Sequence, residues 1–120
     1  MGVILSETYI YHNPRCSKSR KALEILIDHH ITPNIILYLN KPLSKKKLIN
    51  IIELSKLTVR DFIRTNEIEY KDNNLNNKSL TDDDLLDFII QFPKLLQRPI
   101  IIHNNHAIIA RPTENILKIL

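Results

Sequence analysis

The chain has 120 residues, 43% of them apolar and 25% charged, which suits one compact domain over residues 1–120 with a buried core. No apolar run approaches the ~20 residues that cross a bilayer, and Met1–Glu7 lacks the basic start and apolar length of a secretory leader, so a cytoplasmic location is expected without membrane contact. The net charge of +4, from 17 basic and 13 acidic residues, fits attraction of a small anion and does not single out nucleic acid.

Thr8-Tyr9-Ile10-Tyr11 is a short β-prone run and predicts a first strand. His12-Asn13-Pro14-Arg15 breaks it, because Pro14 lacks an N–H and disfavours helix at Asn13. From Cys16 onward the pattern is helical, with Ala22, Leu23, Leu26 and Ile27 on one face and His29-His30 at the close. Pro33 leads into a second strand over residues 34–39. Ser44 caps a predicted helix to about Leu54. Its Lys45-Lys46-Lys47 run, flanked by Leu43, Leu48, Ile49, Ile51 and Ile52, reads as a solvated amphipathic face and not as a nucleic-acid patch. Thr58 caps a shorter helix through Arg64, and residues 71–78 form a polar loop. Thr81 and Asp84 approximate a capping box for a third helix that ends before Pro93. Residues 99–103 and 106–110 predict a hairpin turned by Asn104-Asn105, residues that tolerate positive φ. A closing helix follows Pro112, with Ile116, Leu117 and Leu120 facing inward. The order β-α-β, helices, β-β-α predicts an α/β domain with a central mixed sheet and helices packed on it.

The chemistry concentrates at Cys16. It is the only cysteine, which excludes an intrachain disulfide and any zinc site needing two thiolates. The single glycine excludes phosphate-cradling loops of the Rossmann and Walker types. Cys16 stands where strand gives way to helix, and free N–H groups there lower a thiol's pKa and bind anions. Arg15, Lys18 and Arg20 add positive charge nearby. A lone cysteine is often a small buried hydrophobe, but this one lies in a proline-broken, polar, cationic loop. His12, four residues earlier, either tunes the thiol or orients the loop; a metal pair lacks a second thiol to complete it. A tyrosine-phosphatase loop would need arginine six positions after the cysteine, where Ala22 stands.

These residues resemble the ArsC family, the glutaredoxin-linked arsenate reductases of the thioredoxin-like superfamily, and in particular a short subgroup of it. The resemblance runs through nearly the whole chain: His-Asn-Pro-x-Cys-x-x-Ser-Arg from His12 to Arg20, Arg-x-x-x-Arg-x-Asn at Arg60, Arg64 and Asn66, Thr81-Asp82-Asp83 opening a helix, Arg98-Pro99-Ile100, and Arg111-Pro112. It implies a thioredoxin-like (glutaredoxin-like) mixed four-stranded sheet flanked by helices, with a helical insertion between strands 2 and 3. It also implies a cis Arg98–Pro99 bond, Cys16 as nucleophile on arsenate, His12 lowering its pKa, and Ser19 hydrogen-bonding near the thiolate. Arg64, Arg98 and Arg111 would hold the oxyanion, for which forked, permanently charged guanidiniums are suited. No bound cofactor or metal is implied; glutathione serves as co-substrate and glutaredoxin as partner. With one cysteine, external thiols must complete a two-electron reduction.

Two other jobs suit related chains. A Spx-type regulatory module binds RNA polymerase, usually through a Cys-x-x-Cys that Asn13 and Ser19 here do not provide. A monothiol glutathione-dependent oxidoreductase would act on protein mixed disulfides, a substrate with no use for three arginines.

Overall fold

The computed structural model describes residues 7–41 and 43–120; the stretch Met1–Ser6, read above for a leader, lies outside them. The chain forms two compact units. One holds the chain up to Leu37 together with Arg98–Leu120, and the other is Tyr38–Gln97.

The first unit is built on a four-stranded sheet of order β2-β1-β3-β4, with β1 Thr8–Tyr11, β2 Asn34–Ile36, β3 Ile100–His103 and β4 His106–Ile109. β1 runs parallel to β2 and antiparallel to β3, and β3 pairs antiparallel with β4. A parallel pair needs a crossover, and α1, Ser17–Asp28, supplies it. The hairpin turn has Asn104 and Asn105 at φ 50° and 64°, the two positive dihedrals that match the twist of the flanking strands. β2 is three residues long, shorter than the predicted run to Leu39.

The core of this unit joins Ile10 and Ile101 of the sheet to Ala22 and Leu26 of α1, with Ala110 and Ile116. On α1 the buried stripe is Ser19, Ala22 and Leu26. Ile27 lies one 100° step past Leu26 and is 57% exposed, against the expectation that it faces inward. The helix ends in a Schellman arrangement: His30 adopts φ 62°, its N–H bonds Ile27 O, and Ile31 N–H reaches Leu26 O at 3.0 Å. Ile31 packs on the core beside Leu26.

The closing segment, Thr113–Lys118, is a 3₁₀ helix. Its period is three, so residues three apart eclipse. Thr113 and Ile116 are buried, and Ile119 packs against the core. Leu117 and Leu120, expected inside on α-helical spacing, are exposed.

The second unit is the helical insertion between β2 and β3. Ser44 caps α2, Lys45–Ser55, by accepting Lys47 N–H at 3.1 Å. Thr58 and Asp61 cap reciprocally, Thr58 N–H donating to Asp61 Oδ2 and Asp61 N–H to Thr58 Oγ1. The helix they open lasts only through a 3₁₀ turn, Arg60–Phe62, because Ile63 turns extended and bridges Leu96. A short helix that the polar sequence hid, α3, spans Ile68–Asp72. The loop after it is stapled by Arg60, whose guanidinium donates to Leu75 O at 2.9 Å and Asn77 O at 3.0 Å. α4, Asp82–Gln91, carries the full capping box of Thr81 and Asp84. It packs on α2, and Lys45 pairs with its Asp83 and Asp87.

The 3₁₀ register makes two neighbouring residues an internal contrast. Ile116→Ala should cost about 2–5 kcal/mol of unfolding free energy, whereas Leu117→Ala should stay within about 0.5 kcal/mol of the parent. Urea denaturation of the two variants checks this, and equal losses would contradict the register.

Candidate active site

Sheet register gathers the site. Tyr11 at the end of β1 pairs with Ile100 at the start of β3, and Ile100 pairs with Ile109 at the end of β4. Three loops therefore meet at one end of the sheet: His12–Cys16, Arg98-Pro99 and Ala110–Pro112. Backbone bonds continue the strands into them, from His12 N–H to Ile36 O at 2.8 Å and from Ala110 N–H to Pro99 O at 2.9 Å. The Arg98–Pro99 and Arg111–Pro112 bonds are both cis; the first of these was expected.

Cys16 is the N-cap residue of α1, extended at φ −94° and ψ 121°. Its loop closes on itself, Cys16 N–H donating to Asn13 O at 3.0 Å and Arg15 N–H to Asn13 Oδ1 at 3.1 Å. Cys16 is half-buried. Burial alone would raise the thiol pKa, but donors around the sulfur outweigh it and bring it below the ordinary value. They are Ser19 N–H, the Arg98 side chain and Lys18 N–H, with the Arg98 charge adding to them. The Cys16 side chain closes no N-cap hydrogen bond; the donors act on the sulfur by favouring its negative form.

Ser19 and His12 form the buried floor. Ser19 Oγ lies 2.7 Å from His12 Nδ1 and accepts Asn13 N–H at 3.1 Å. Burial, and then the charge of Arg20, lower the His12 pKa, which favours the neutral ring. With its proton on Nε2, Nδ1 accepts the Ser19 O–H, and each of these three groups has a partner. Arg20 itself is spent on the loop, donating to Pro14 O at 2.9 Å.

Arg98 links the sulfur to the third loop. Its side chain acts on Cys16, while its carbonyl accepts Arg111 Nε–H at 2.6 Å. The Arg111 carbonyl in turn accepts Asn115 Nδ2–H at 3.1 Å. Asn115 was not singled out in the sequence, where a lone amide in a closing helix carries no signal. Cys16, His12, Ser19, Arg98 and Arg111 thus form one constellation within the first unit. Arg64 belongs to the second. There Arg64 N–H donates to Leu95 O at 2.7 Å, its Nε donates to Glu67 Oε1 at 3.1 Å, and its Nη1 is buried with no hydrogen bond among the described residues. The nearby cations expected to act on the thiol, Arg15, Lys18 and Arg20, contribute differently: the side chain acting on the sulfur is that of Arg98, and Lys18 contributes its backbone N–H. Among the described residues no group of three or more His, Cys, Asp or Glu is arranged to hold a metal ion, and no helix is long and apolar enough to cross a membrane.

Because donors depress the thiol pKa while burial opposes them, removing Arg98 should leave burial less opposed. The rate of Cys16 alkylation by iodoacetamide, followed against pH, should have its midpoint below that of a free thiol. The midpoint should move upward in Arg98→Ala, so that alkylation at neutral pH slows. An unchanged midpoint would remove Arg98 as a cause.

Residues 11–119 match the model of the ArsC family. The chain is 39% identical over 117 residues to an arsenate reductase of Neisseria meningitidis serogroup A, covering 97% of this chain and 100% of that protein. It is 38% identical over 112 residues to the uncharacterized protein YfgD of Escherichia coli K12, covering 92% and 94%. Among solved structures, an arsenate reductase from Vibrio cholerae superposes with a TM-score of 0.93 at 40% identity, over 96% of this chain and 98% of that one. The mixed sheet with its helical insertion is thus the thioredoxin-like arrangement that the resemblance implied, and the chain belongs to the ArsC family.

Proposed function

We propose that this protein is an arsenate reductase, converting arsenate to arsenite through Cys16 with electrons from glutathione and glutaredoxin. The observation that carries the reading is the convergence of the only cysteine, at the N-cap of α1, with the Arg98 and Arg111 loops at one end of the sheet, where Arg98 helps to lower the thiol pKa. Relatives at 39% identity that are arsenate reductases support the same reading.

In this scheme the Cys16 thiolate attacks arsenic, and one arsenate oxygen leaves as water. Arg98 and Arg111 hold the remaining oxygens and stabilise the charge that develops on them. Arg64 is proposed as a third oxyanion ligand on the resemblance, a role for which its forked, permanently charged guanidinium is suited. Glutathione then displaces a second oxygen as water, giving arsenic bonded to both sulfurs. A glutaredoxin thiol attacks the glutathione sulfur; the disulfide forms, the S–As electron pair stays on arsenic, and As(V) becomes As(III). Water displaces Cys16 and releases arsenite with a free thiol. The net change is arsenate plus two thiols to arsenite, one disulfide and one water. His12 and Ser19 are positioning residues in this scheme, holding the loop that presents the sulfur. Residues 1–120 work as one domain in the cytoplasm, with no bound cofactor or metal.

Arsenite production by purified protein with arsenate, glutathione and glutaredoxin tests the reading. Cys16→Ser should abolish it. Arg98→Ala should lower kcat/KM by roughly 10²–10³, the range for loss of one oxyanion donor. Arg111→Ala and Arg64→Ala should raise the KM for arsenate. Absence of arsenite while Cys16 still alkylates readily at neutral pH would overturn the reductase reading. So would full turnover with no added thiol.

A further inference from the structure

The reductase reading requires an external thiol to reach an adduct on Cys16, and the first unit holds a cavity whose lining starts at Ser17, the residue after it. It has a volume of about 320 Å³ and is lined by Ser17, Lys18, Lys21, Pro112, Thr113 and Glu114. This is within the range of small-ligand clefts, roughly 300–1,000 Å³.

One wall begins with Ser17 and Lys18, which follow Cys16 directly, and the Lys18 N–H is among the donors acting on the sulfur. The other wall begins with Pro112 and Thr113, which follow Arg111 directly. Both walls therefore continue from residues of the site. They are held rigidly, because α1 packs against the 3₁₀ segment through Ala22, Leu26 and Ile116, and Thr113 is itself buried. The charged side chains are outside that packing: Lys18, Lys21 and Glu114 are all exposed. Nor is any of the three in an ion pair identified among the described residues.

We propose that this cavity seats the small thiol co-substrate, a peptide with two carboxylates and one ammonium, its carboxylates toward Lys18 and Lys21 and its ammonium toward Glu114. Glutathione has that charge composition. The cavity's two ammoniums and one carboxylate are its complement, and opposite charges in this pattern select both the ligand and its orientation. The proposal rests on the reading that an external thiol resolves Cys16, and it adds the place from which that thiol comes.

S-Methylglutathione, which cannot react, is titrated into the ¹⁵N-labelled full-length protein, and glutathione is varied in the arsenate assay. Saturable shifts are expected at the amides of Ser17, Lys18, Lys21 and Thr113. Lys21→Glu and Glu114→Lys should each weaken binding and raise the KM for glutathione by about tenfold, roughly one charge-assisted contact. The KM for arsenate should be unchanged, and Lys21→Arg should restore the glutathione KM. Equal S-methylglutathione affinity in wild type and both charge reversals, or shifts confined to other residues, would overturn the cavity assignment. Normal turnover with an unchanged glutathione KM in both variants would also overturn it and leave the reductase reading standing. Lys21-dependent binding without arsenate turnover would uphold the cavity and sink the reductase reading.

Discussion

The Ser19 hydroxyl carries the local structure on which the candidate site depends. It is fully buried, it accepts Asn13 N–H, and it bonds the ring of His12. A buried donor or acceptor left alone costs about 1–3 kcal/mol, so the loop between β1 and α1 has strong reason to fold back on the helix. Once it does, Asn13 closes the turn by accepting Cys16 N–H, and Cys16 becomes the N-cap. A nucleophile on a loop between strand and helix would otherwise wander. Here its position is tied to the first turn of α1, which is anchored by Ala22 and Leu26 in the core.

Sheet register then does for the arginines what Ser19 does for the cysteine. Arg98 and Arg111 are 13 residues apart, yet the β3–β4 hairpin folds them to the same end of the sheet. The bond from Arg111 Nε to the Arg98 carbonyl fixes one guanidinium by the backbone of the other. Arg98 therefore has two jobs carried by different atoms: its side chain lowers the thiol pKa, and its carbonyl orients a second cation. Substitution at Arg98 removes only the first, because the carbonyl remains.

Much of this was legible in the residues. A single thiol in a proline-broken junction, the Asn104-Asn105 turn, and the caps at Ser44 and Thr81 each have a local cause, and each is found where local chemistry puts it. The misses have a common origin in tertiary structure. Ile27 and Leu117 were placed inside by apolar spacing, but spacing cannot tell an α-helix from a 3₁₀ helix or fix the centre of a stripe that includes the polar Ser19. α3 carries little apolar periodicity and so left no sign. Arg15 and Arg20 are closest to Cys16 in sequence, but Arg98 acts on it because strand pairing spans the intervening residues. Arg60 and Arg64, four apart, have unlike surroundings: both terminal nitrogens of Arg60 are spent on loop carbonyls, while Arg64 keeps a terminal nitrogen unused among the described residues. Sequence spacing does not distinguish them.

Opposing forces act on Cys16, and their net direction suits the chemistry proposed for it. Burial raises the thiol pKa, while three donors and the charge of Arg98 lower it, leaving a net depression. Nucleophilicity falls as a thiol becomes more acidic, with a Brønsted slope of about 0.4–0.5, whereas leaving ability rises. A sulfur that only attacked would gain from a pKa near ambient pH, and one that only departed would gain from a deep depression. In the reductase cycle the same sulfur attacks As(V) and must later leave As(III). With no second cysteine in the chain, no intramolecular thiol can expel it, so release falls to water and to the acidity of the leaving thiol. Neutral donors and one guanidinium outweigh burial and tip the thiol toward thiolate, which raises the fraction ready to attack and eases its later departure. That is a physical reason for gathering the Ser19 and Lys18 N–H groups and the Arg98 side chain at the sulfur against the cost of burial.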